Sequence, residues 1–463
     1  MKTLYPAQEE TCDFFVDVIR DGRNSLDSSV MGTGKTVVGA RIAKRIIENP
    51  FLEEEARRIT NVAVICPKAV FPSWETELRE CGLEPTFIQN VEKLRLGKTP
   101  WVKKVGKKNF KWEIPTDTLV LVDEIHKLKG PWTLNAALLV ALVKQGFRIH
   151  GMSGTPCENP MEMRPLGYML RLHTNDHSRG GLPNYWQWLT KLRCTKGFFG
   201  GHEMRDVGFA LSQLRQTMYG VSTRGLTVAD FPDSFRDNRV IVDPIEFSNN
   251  EKIVQAYDKL DMDAEEVRDY IERGNVPEHL RGLDEDDRPM IVKILDARIE
   301  CEKFKVADIA AMAKDAIKEG YNVVVFMNFT KSLHEVSGLL ECEYIDGSIA
   351  ADARNDIIDK FQRDETHCLA LNAATGGTGI SLHDTVGERP RLSLISPSFN
   401  AKEFSQVLGR IHRNGAKSDA LQKVLLSDGS IEEYVMEAIS KKLHHMNLIH
   451  NSQICELNSS YYK

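Results

Sequence analysis

No stretch of the 463 residues stays apolar for long. The longest runs, Val62–Pro67, Ala136–Val143 and Val323–Met327, fall far short of the roughly 20 residues that cross a bilayer. The segment Met1–Pro6 lacks the apolar core of a secretory signal. Nine cysteines are scattered singly, with no Cys-x-x-Cys pair. That spacing speaks against structural zinc and a disulfide framework, and for a reduced, cytoplasmic setting. With 32 glycines and 18 prolines the chain is neither collagen-like nor of low complexity. No repeat of solenoid period is visible. What remains is length enough for two or three globular domains.

An excess of positive charge is missing too, since the net charge is −6. The sum hides an asymmetry. Residues 1–235 carry 32 Lys+Arg against 26 Asp+Glu, whereas 236–463 carry 28 against 40. Acid is concentrated in 246–300 and base in 91–115, where eight cations face only Glu92 and Glu113. Local fields, more than the total, govern binding to polyanions.

Short apolar segments alternate with helix-period segments along both halves. Val62–Cys66, Thr118–Val122, Arg148–Met152, Asn322–Met327, Cys368–Leu371 and Arg391–Ile395 read as buried parallel strands. Val37–Glu48, Lys303–Lys318 and Ala353–Gln362 read as helices between them. The expected fold class is α/β, with parallel sheets in two tandem lobes, 1–235 and 236–463. Helical insertions are expected near 160–225 and, acidic in character, near 246–300.

Three motifs carry chemistry. Ser29-Val30-Met31-Gly32-Thr33-Gly34-Lys35-Thr36 follows a short strand and opens a helix. It is a phosphate-binding loop with Ser29 at the usual first glycine. Gly32, Thr33 and Gly34 let backbone N–H groups face phosphate. Lys35 would meet the β/γ-phosphates and Thr36 the Mg²⁺. Val120–His126 ends an apolar strand in two acids: Asp123 suits Mg²⁺ held through water, and Glu124 suits activation of a water. Gln406–Gly415 brings Arg410 and Arg413 three apart, on one face if the segment is helical, where two guanidinium forks suit γ-phosphate charge. An exposed basic face is the alternative for that segment taken alone.

The ordered set resembles a superfamily 2 helicase of the Swi/Snf-like DNA translocase branch, in a compact bacterial or phage form. Tyr5-Pro6-Ala7-Gln8 is similar to the branch's adenine-reading motif. Cys66-Pro67-Lys68 with Trp74-Glu75-x-Glu77-Leu78 resembles motif Ia, and Asp123–His126 resembles motif II. Ser153-Gly154-Thr155-Pro156 resembles motif III, Val325–Thr330 motif IV, Thr375–Ile380 motif V and Gln406–Gly415 motif VI. Ser29-Val30, Thr33 and Ala416 depart from the branch's usual residues.

The resemblance implies two RecA-like lobes that bind ATP with Mg²⁺. Gln8, Lys35, Thr36, Asp123 and Glu124 would come from the first lobe, and Gly379, Gln406, Arg410 and Arg413 from the second. It also implies contacts to the DNA backbone from Lys68, Asn328, Thr330 and Thr375. The expected partner is double-stranded or branched DNA, engaged by a monomeric motor without membrane attachment, in the cytoplasm of a bacterial host if phage-encoded. An ATP-driven translocase that remodels branched DNA is one reading. A strand-separating helicase on single-stranded DNA or RNA is another, and a clamp that only switches with ATP a third.

Two further segments are expected to bear on this. Trp101–Trp112, with Lys103, Lys104, Lys107 and Lys108, reads as a basic hairpin near the DNA track. Trp101 and Trp112 would clasp it and Phe110 would wedge a junction; the alternative is a solvated surface hairpin. The acidic stretch, with Asp284–Asp287, is either a solvated face or a lid that mimics DNA.

Overall fold

The computed structural model describes residues 3–48, 58–175, 181–196, 202–231, 234–260, 262–263, 266, 290–376 and 380–450. Gly379 and Asp284–Asp287 lie outside the described residues. Tertiary contacts divide the chain into two units. The first runs through Phe231 and takes in the segment from His445, and the second runs from Pro232 to His444. The boundary thus precedes residue 235, and no signal of charge or composition marks the return at His445.

The strands of the first unit are β1 (Ser25–Asp27), β2 (Asn61–Ile65), β3 (Ile88–Gln89), β4 (Lys98–Thr99), β5 (Val102–Val105), β6 (Asn109–Trp112), β7 (Thr118–Asp123), β8 (Arg148–Met152), β9 (Cys194–Lys196), β10 (His202–Met204) and β11 (Thr223–Arg224). Six of them form a wholly parallel sheet in the order β11-β1-β8-β7-β2-β3. Leu119–Val122 are all buried, because helices cover both faces of a parallel sheet and continuous apolar runs, not alternating ones, suit it. The order sets β1 beside β8 and β8 beside β7. The carboxyl ends of those three strands lead into the phosphate loop, motif III and motif II, which is where α/β sheets gather ligands.

The second unit repeats the scheme with β12 (Asn238–Ile245), β13 (Asn322–Met327), β14 (Glu343–Ile345), β15 (Cys368–Asn372), β16 (Arg391–Ile395) and β17 (Ala420–Ser427). Its parallel order is β12-β17-β16-β13-β15-β14. Both units are α/β lobes built on six-stranded parallel sheets. The first insertion holds helices Arg164–Met169, Tyr185–Lys191 and Val207–Met218, with β9 and β10 paired antiparallel. In the second insertion, helix Asn250–Asp258 buries Ile253, Ala256 and Tyr257 in one core cluster with Ile294 and Ala297 of the long helix Met290–Lys318.

The basic hairpin forms as β5–β6, extended to three strands by β4. Gly106, at φ +75°, begins its turn. Two expectations fail there. The register pairs Trp112 with Val102, so Trp101 and Trp112 are not cross-strand partners. Both instead stack on Phe87, at centroid distances of 4.9 and 6.2 Å. Phe110 is buried in the lobe core and is no wedge. Residues two apart on a strand share a face, so Phe110 goes inward with Trp112 while Asn109 and Lys111 stay out.

Candidate nucleotide site and nucleic-acid face

The phosphate loop leaves β1 at Asp27 and enters helix Lys35–Glu48. Gly32 and Gly34 take φ of +83° and +89°, a region that side chains avoid. Lys35 folds over the loop, its Nζ donating to the carbonyls of Ser29 and Val30 at 2.8 and 3.1 Å. Thr33 Oγ1 donates to Val30 O at 2.8 Å and closes the turn. Gln8 is buried against it. Its Nε2 donates to Thr33 O at 2.7 Å, and its Oε1 accepts Tyr5 N–H at 3.0 Å, capping the first helix. A Cβ on Gly34 would lie 2.6 Å from Gln8 Nε2. The glycine therefore serves both the backbone turn and the approach of the glutamine.

Ser29 has a structural reason to replace glycine. Its Oγ accepts Leu226 N–H at 2.9 Å while Val30 N–H donates to Leu226 O, so the loop continues the β1–β11 pairing for one more step. Asp27, also missed by sequence reasoning, is buried and accepts Ser29 N–H at 2.8 Å. Burial raises its pKa, and the nearby Lys35 charge opposes that rise.

Motif II ends β7. Asp123 Oδ1 accepts Glu124 N–H at 2.9 Å, and Oδ2 accepts the Trp74 indole N–H at 3.1 Å. Trp74 sits on helix Phe71–Glu80, is fully buried, and packs where a Cβ on Gly39 would come within 3.0 Å. That glycine, unfavourable inside a helix, is what lets the indole reach the carboxylate. Burial, then the charge of Glu124, pushes the Asp123 pKa up to about 6. Glu124 takes a left-handed backbone, φ +53°, and meets His126 Nδ1 at 3.1 Å. The same nitrogen lies 2.9 Å from Ser153 Oγ, which accepts Thr155 N–H at 3.2 Å. Motif III is thereby wired to motif II.

A second wire reaches the loop from the far end of the chain. Ser28 Oγ lies 2.7 Å from Tyr219 OH, which lies 2.9 Å from His450 Nδ1, and His450 Nε2 lies 2.9 Å from Cys157 O. A carbonyl only accepts, so Nε2 carries the proton and Tyr219 donates to Nδ1. Burial holds the His450 pKa down at about 4, consistent with a neutral ring.

The donors fit a magnesium nucleotide. Among the described residues no group of three or more His, Cys, Asp or Glu could hold a metal by itself. Each Asp123 oxygen accepts one bond and keeps a lone pair, and Thr36 is half-buried at the first turn of the helix. Magnesium prefers such a site, with one or two protein oxygens and the rest from phosphate and water.

In the second unit Arg410 and Arg413 converge, but not along a helix. The helix Ala401–Leu408 stops before them, and they follow in the turn that begins at Gly409. Both guanidinium groups donate to Ile380 O at 2.9 Å. Arg410 is wholly buried and Arg413 half-buried; Gln406 is buried on the helix. Asn328 faces inward: its Nδ2 donates to Glu302 Oε2 at 2.8 Å and Pro397 O at 3.0 Å. Buried Glu302 also accepts the backbone N–H groups of Asn328 and Phe329, and so builds motif IV. Thr330 is exposed at the start of helix Thr330–Leu340, and Thr375 lies in the turn Ala373–Gly376. In the first unit Lys68 is exposed where β2 ends. The hairpin lysines Lys103, Lys104, Lys107 and Lys108 are all exposed, and Lys103 pairs with Glu113 at 2.5 Å.

Residues 305–415 match the helicase conserved C-terminal domain. A protein of Acanthamoeba polyphaga mimivirus that bears the name of an ATP-dependent RNA helicase is 24% identical, over 97% of this chain and 84% of its own. The DNA repair and recombination protein RAD54 of Saccharomyces cerevisiae is 29% identical over 26% of the chain, and the chromatin remodeling factor mit1 of Schizosaccharomyces pombe is 28% identical over 35%. Those two matches span only 14% and 12% of the relatives' lengths. The solved Sulfolobus solfataricus SWI2/SNF2 ATPase core in complex with dsDNA aligns over 99% of this chain and 98% of its own, at 17% identity and a TM-score of 0.38. At that score it adds nothing to the fold read from strand order.

The raised pKa of Asp123 gives a pH signature. A carboxylate whose folded pKa lies above its unfolded value destabilises the fold increasingly as pH climbs between the two, and by a constant amount above both. Asp123→Asn should therefore raise the thermal midpoint of the nucleotide-free protein. The gain should grow from about pH 4 to about pH 6 and stay flat above, reaching about 2–3 kcal/mol. Calorimetry across that range checks it.

Proposed function

We propose that the chain is an ATP-hydrolysing enzyme of the helicase class, in the Swi/Snf-like branch of superfamily 2, and that it moves along duplex DNA. On this reading it remodels branched DNA by branch migration or fork regression, in replication, recombination or repair. The observation that carries the reading is the path from Lys68 to Asp123. Lys68, exposed at the end of β2, leads directly into helix Phe71–Glu80, whose Trp74 holds the Asp123 carboxylate. On this reading the segment that meets phosphates and the carboxylate that meets nucleotide are joined by one buried hydrogen bond.

In this proposal Lys35 binds the β/γ-phosphates. Thr36 and Asp123 hold Mg²⁺, which neutralises phosphate charge when bound. Glu124 orients the attacking water and His126 steadies it from Ser153. Gln8 keeps a second amide hydrogen and a second lone pair beyond its loop contacts, the donor and acceptor that an adenine edge needs. Gly379 and Gln406 contribute to nucleotide binding, and Thr330 and Thr375 join Lys68 on the DNA backbone. Asn328 acts there indirectly, by shaping motif IV. A viral setting accords with the mimivirus relative, and the bacterial or phage setting belongs to this proposal alone.

Arg410 and Arg413 stabilise γ-phosphate charge, but they are not equivalent test sites. Arg413→Ala should cut turnover by about 10³-fold or more, as loss of an arginine finger does, with the melting temperature unchanged. Arg410→Ala should lower both, because the Arg410 side chain is wholly buried and its removal leaves a void, whereas Ile380 O keeps one guanidinium in either variant. Steady-state kinetics beside calorimetry separates them.

One finding favours a second reading, a strand-separating helicase on single-stranded DNA or RNA: a relative that spans 97% of the chain is named for RNA. ATPase rates with duplex DNA, a four-way junction, single-stranded DNA and single-stranded RNA, measured side by side, decide. Duplex and junction should raise turnover at least tenfold, by an amount that falls with salt. Stimulation by single strands alone would reject the duplex reading.

A further inference from the structure

With Phe110 buried, the exposed aromatic surface of the first unit lies elsewhere. Trp132 and Trp186 expose 59% and 46% of their surface. They come from the loop after motif II and from helix Tyr185–Lys191, and their rings lie 27° apart in plane with centroids 6.4 Å apart. His202 stacks on Trp186 at 4.8 Å and 29°, which makes a row of three near-parallel rings. The Arg164 guanidinium lies over the Trp132 ring at 3.8 Å. Beside the row is a cavity of about 530 Å³ lined by Trp186, Thr190, Cys194, Thr195, Lys196 and His202. That volume falls within the roughly 300–1,000 Å³ of small-molecule-sized sites.

Packing does not account for the row. Helix Tyr185–Lys191 turns Tyr185, Trp188 and Leu189 into the core and leaves Trp186 outside it. Two large indoles from distant segments meeting in solvent mark an interaction site. The charge around them selects the partner. Lys191, Arg193 and Lys196 are exposed, and the sequence from Tyr185 to Lys196 contains no acid. Arg193 pairs with Asp206, whereas Lys196 lines the cavity itself. The row also joins the lysine hairpin, since Lys108 Nζ reaches Trp132 O at 3.4 Å. Flat rings at solvent level, cations beside them and a basic approach are what unpaired bases on a phosphate backbone require.

We propose that Trp132, Trp186 and His202, with Lys196, form a stacking site for the unpaired bases of a single-stranded nucleic-acid segment. The inference rests on the proposed nucleic-acid function and adds to it a place for the strand that branch processing leaves unpaired. The backbone of that strand follows the cations and the bases meet the rings, so binding is indifferent to sequence.

A thymidine-only oligonucleotide is the probe, added to the full chain while intrinsic tryptophan fluorescence and anisotropy of the labelled strand are followed. Binding should quench the two exposed indoles. Trp186→Ala and Trp132→Ala should each weaken binding about fivefold or more, and Trp186→Phe should restore most of the loss. Duplex-stimulated ATPase should be unchanged in all three, which separates failure of this site from failure of the duplex reading. Wild-type oligonucleotide affinity in the doubly substituted, folded protein would overturn the proposal. So would loss of self-association on sedimentation with oligonucleotide affinity intact, which would mark the row as a protein contact.

Discussion

A single indole N–H carries much of the arrangement. Asp123 ends a strand inside the lobe, beside a second carboxylate, where burial disfavours its charge and the Trp74 hydrogen bond, with the Lys35 charge, opposes that penalty. Without that donor the carboxylate keeps only the N–H of its own neighbour, Glu124. The requirement propagates outward. Trp74 packs against the helix after the phosphate loop, where a Cβ at position 39 would come within 3.0 Å of both its ring and the Met152 sulfur, which favours glycine there. It must also be carried by a helix that starts where β2 ends, which fixes Lys68 at the sheet's carboxyl edge. Loop, strand end and the exposed Lys68 are tied together by one buried contact.

The same lobe holds its loops together by polar links between distant segments. Glu124, His126 and Ser153 tie motif II to motif III. Ser28, Tyr219, His450 and Cys157 tie the phosphate loop to the end of motif III. Polar groups buried in this way are strong when fully satisfied and costly when broken.

Strand positions were legible because a parallel sheet covered on both faces demands continuous apolar runs, and Arg148–Met152, Asn322–Met327 and Arg391–Ile395 match β8, β13 and β16. The phosphate loop and motif II were legible because their chemistry is local. What sequence missed is tertiary. Trp74 and Asp123 are 49 residues apart, and Ser28 and Tyr219 are 191. No local pattern announces that His450 returns to the first lobe. The helix assumed beneath Arg410 and Arg413 was a reading of spacing alone, whereas the Ile380 carbonyl draws both side chains together from a turn. The hairpin error was avoidable: strand alternation already assigns Phe110 and Trp112 to one face.

The central claim is that the segment proposed to meet nucleic acid and the strand end proposed to serve hydrolysis act as one piece through Trp74. Trp74→Phe keeps the bulk and removes the N–H. The direct measurement is the ratio of DNA-stimulated to unstimulated ATP turnover in that variant, with ATP KM and DNA affinity determined alongside. The account predicts near-normal KM and DNA affinity with a ratio reduced about tenfold. An unchanged ratio would contradict it.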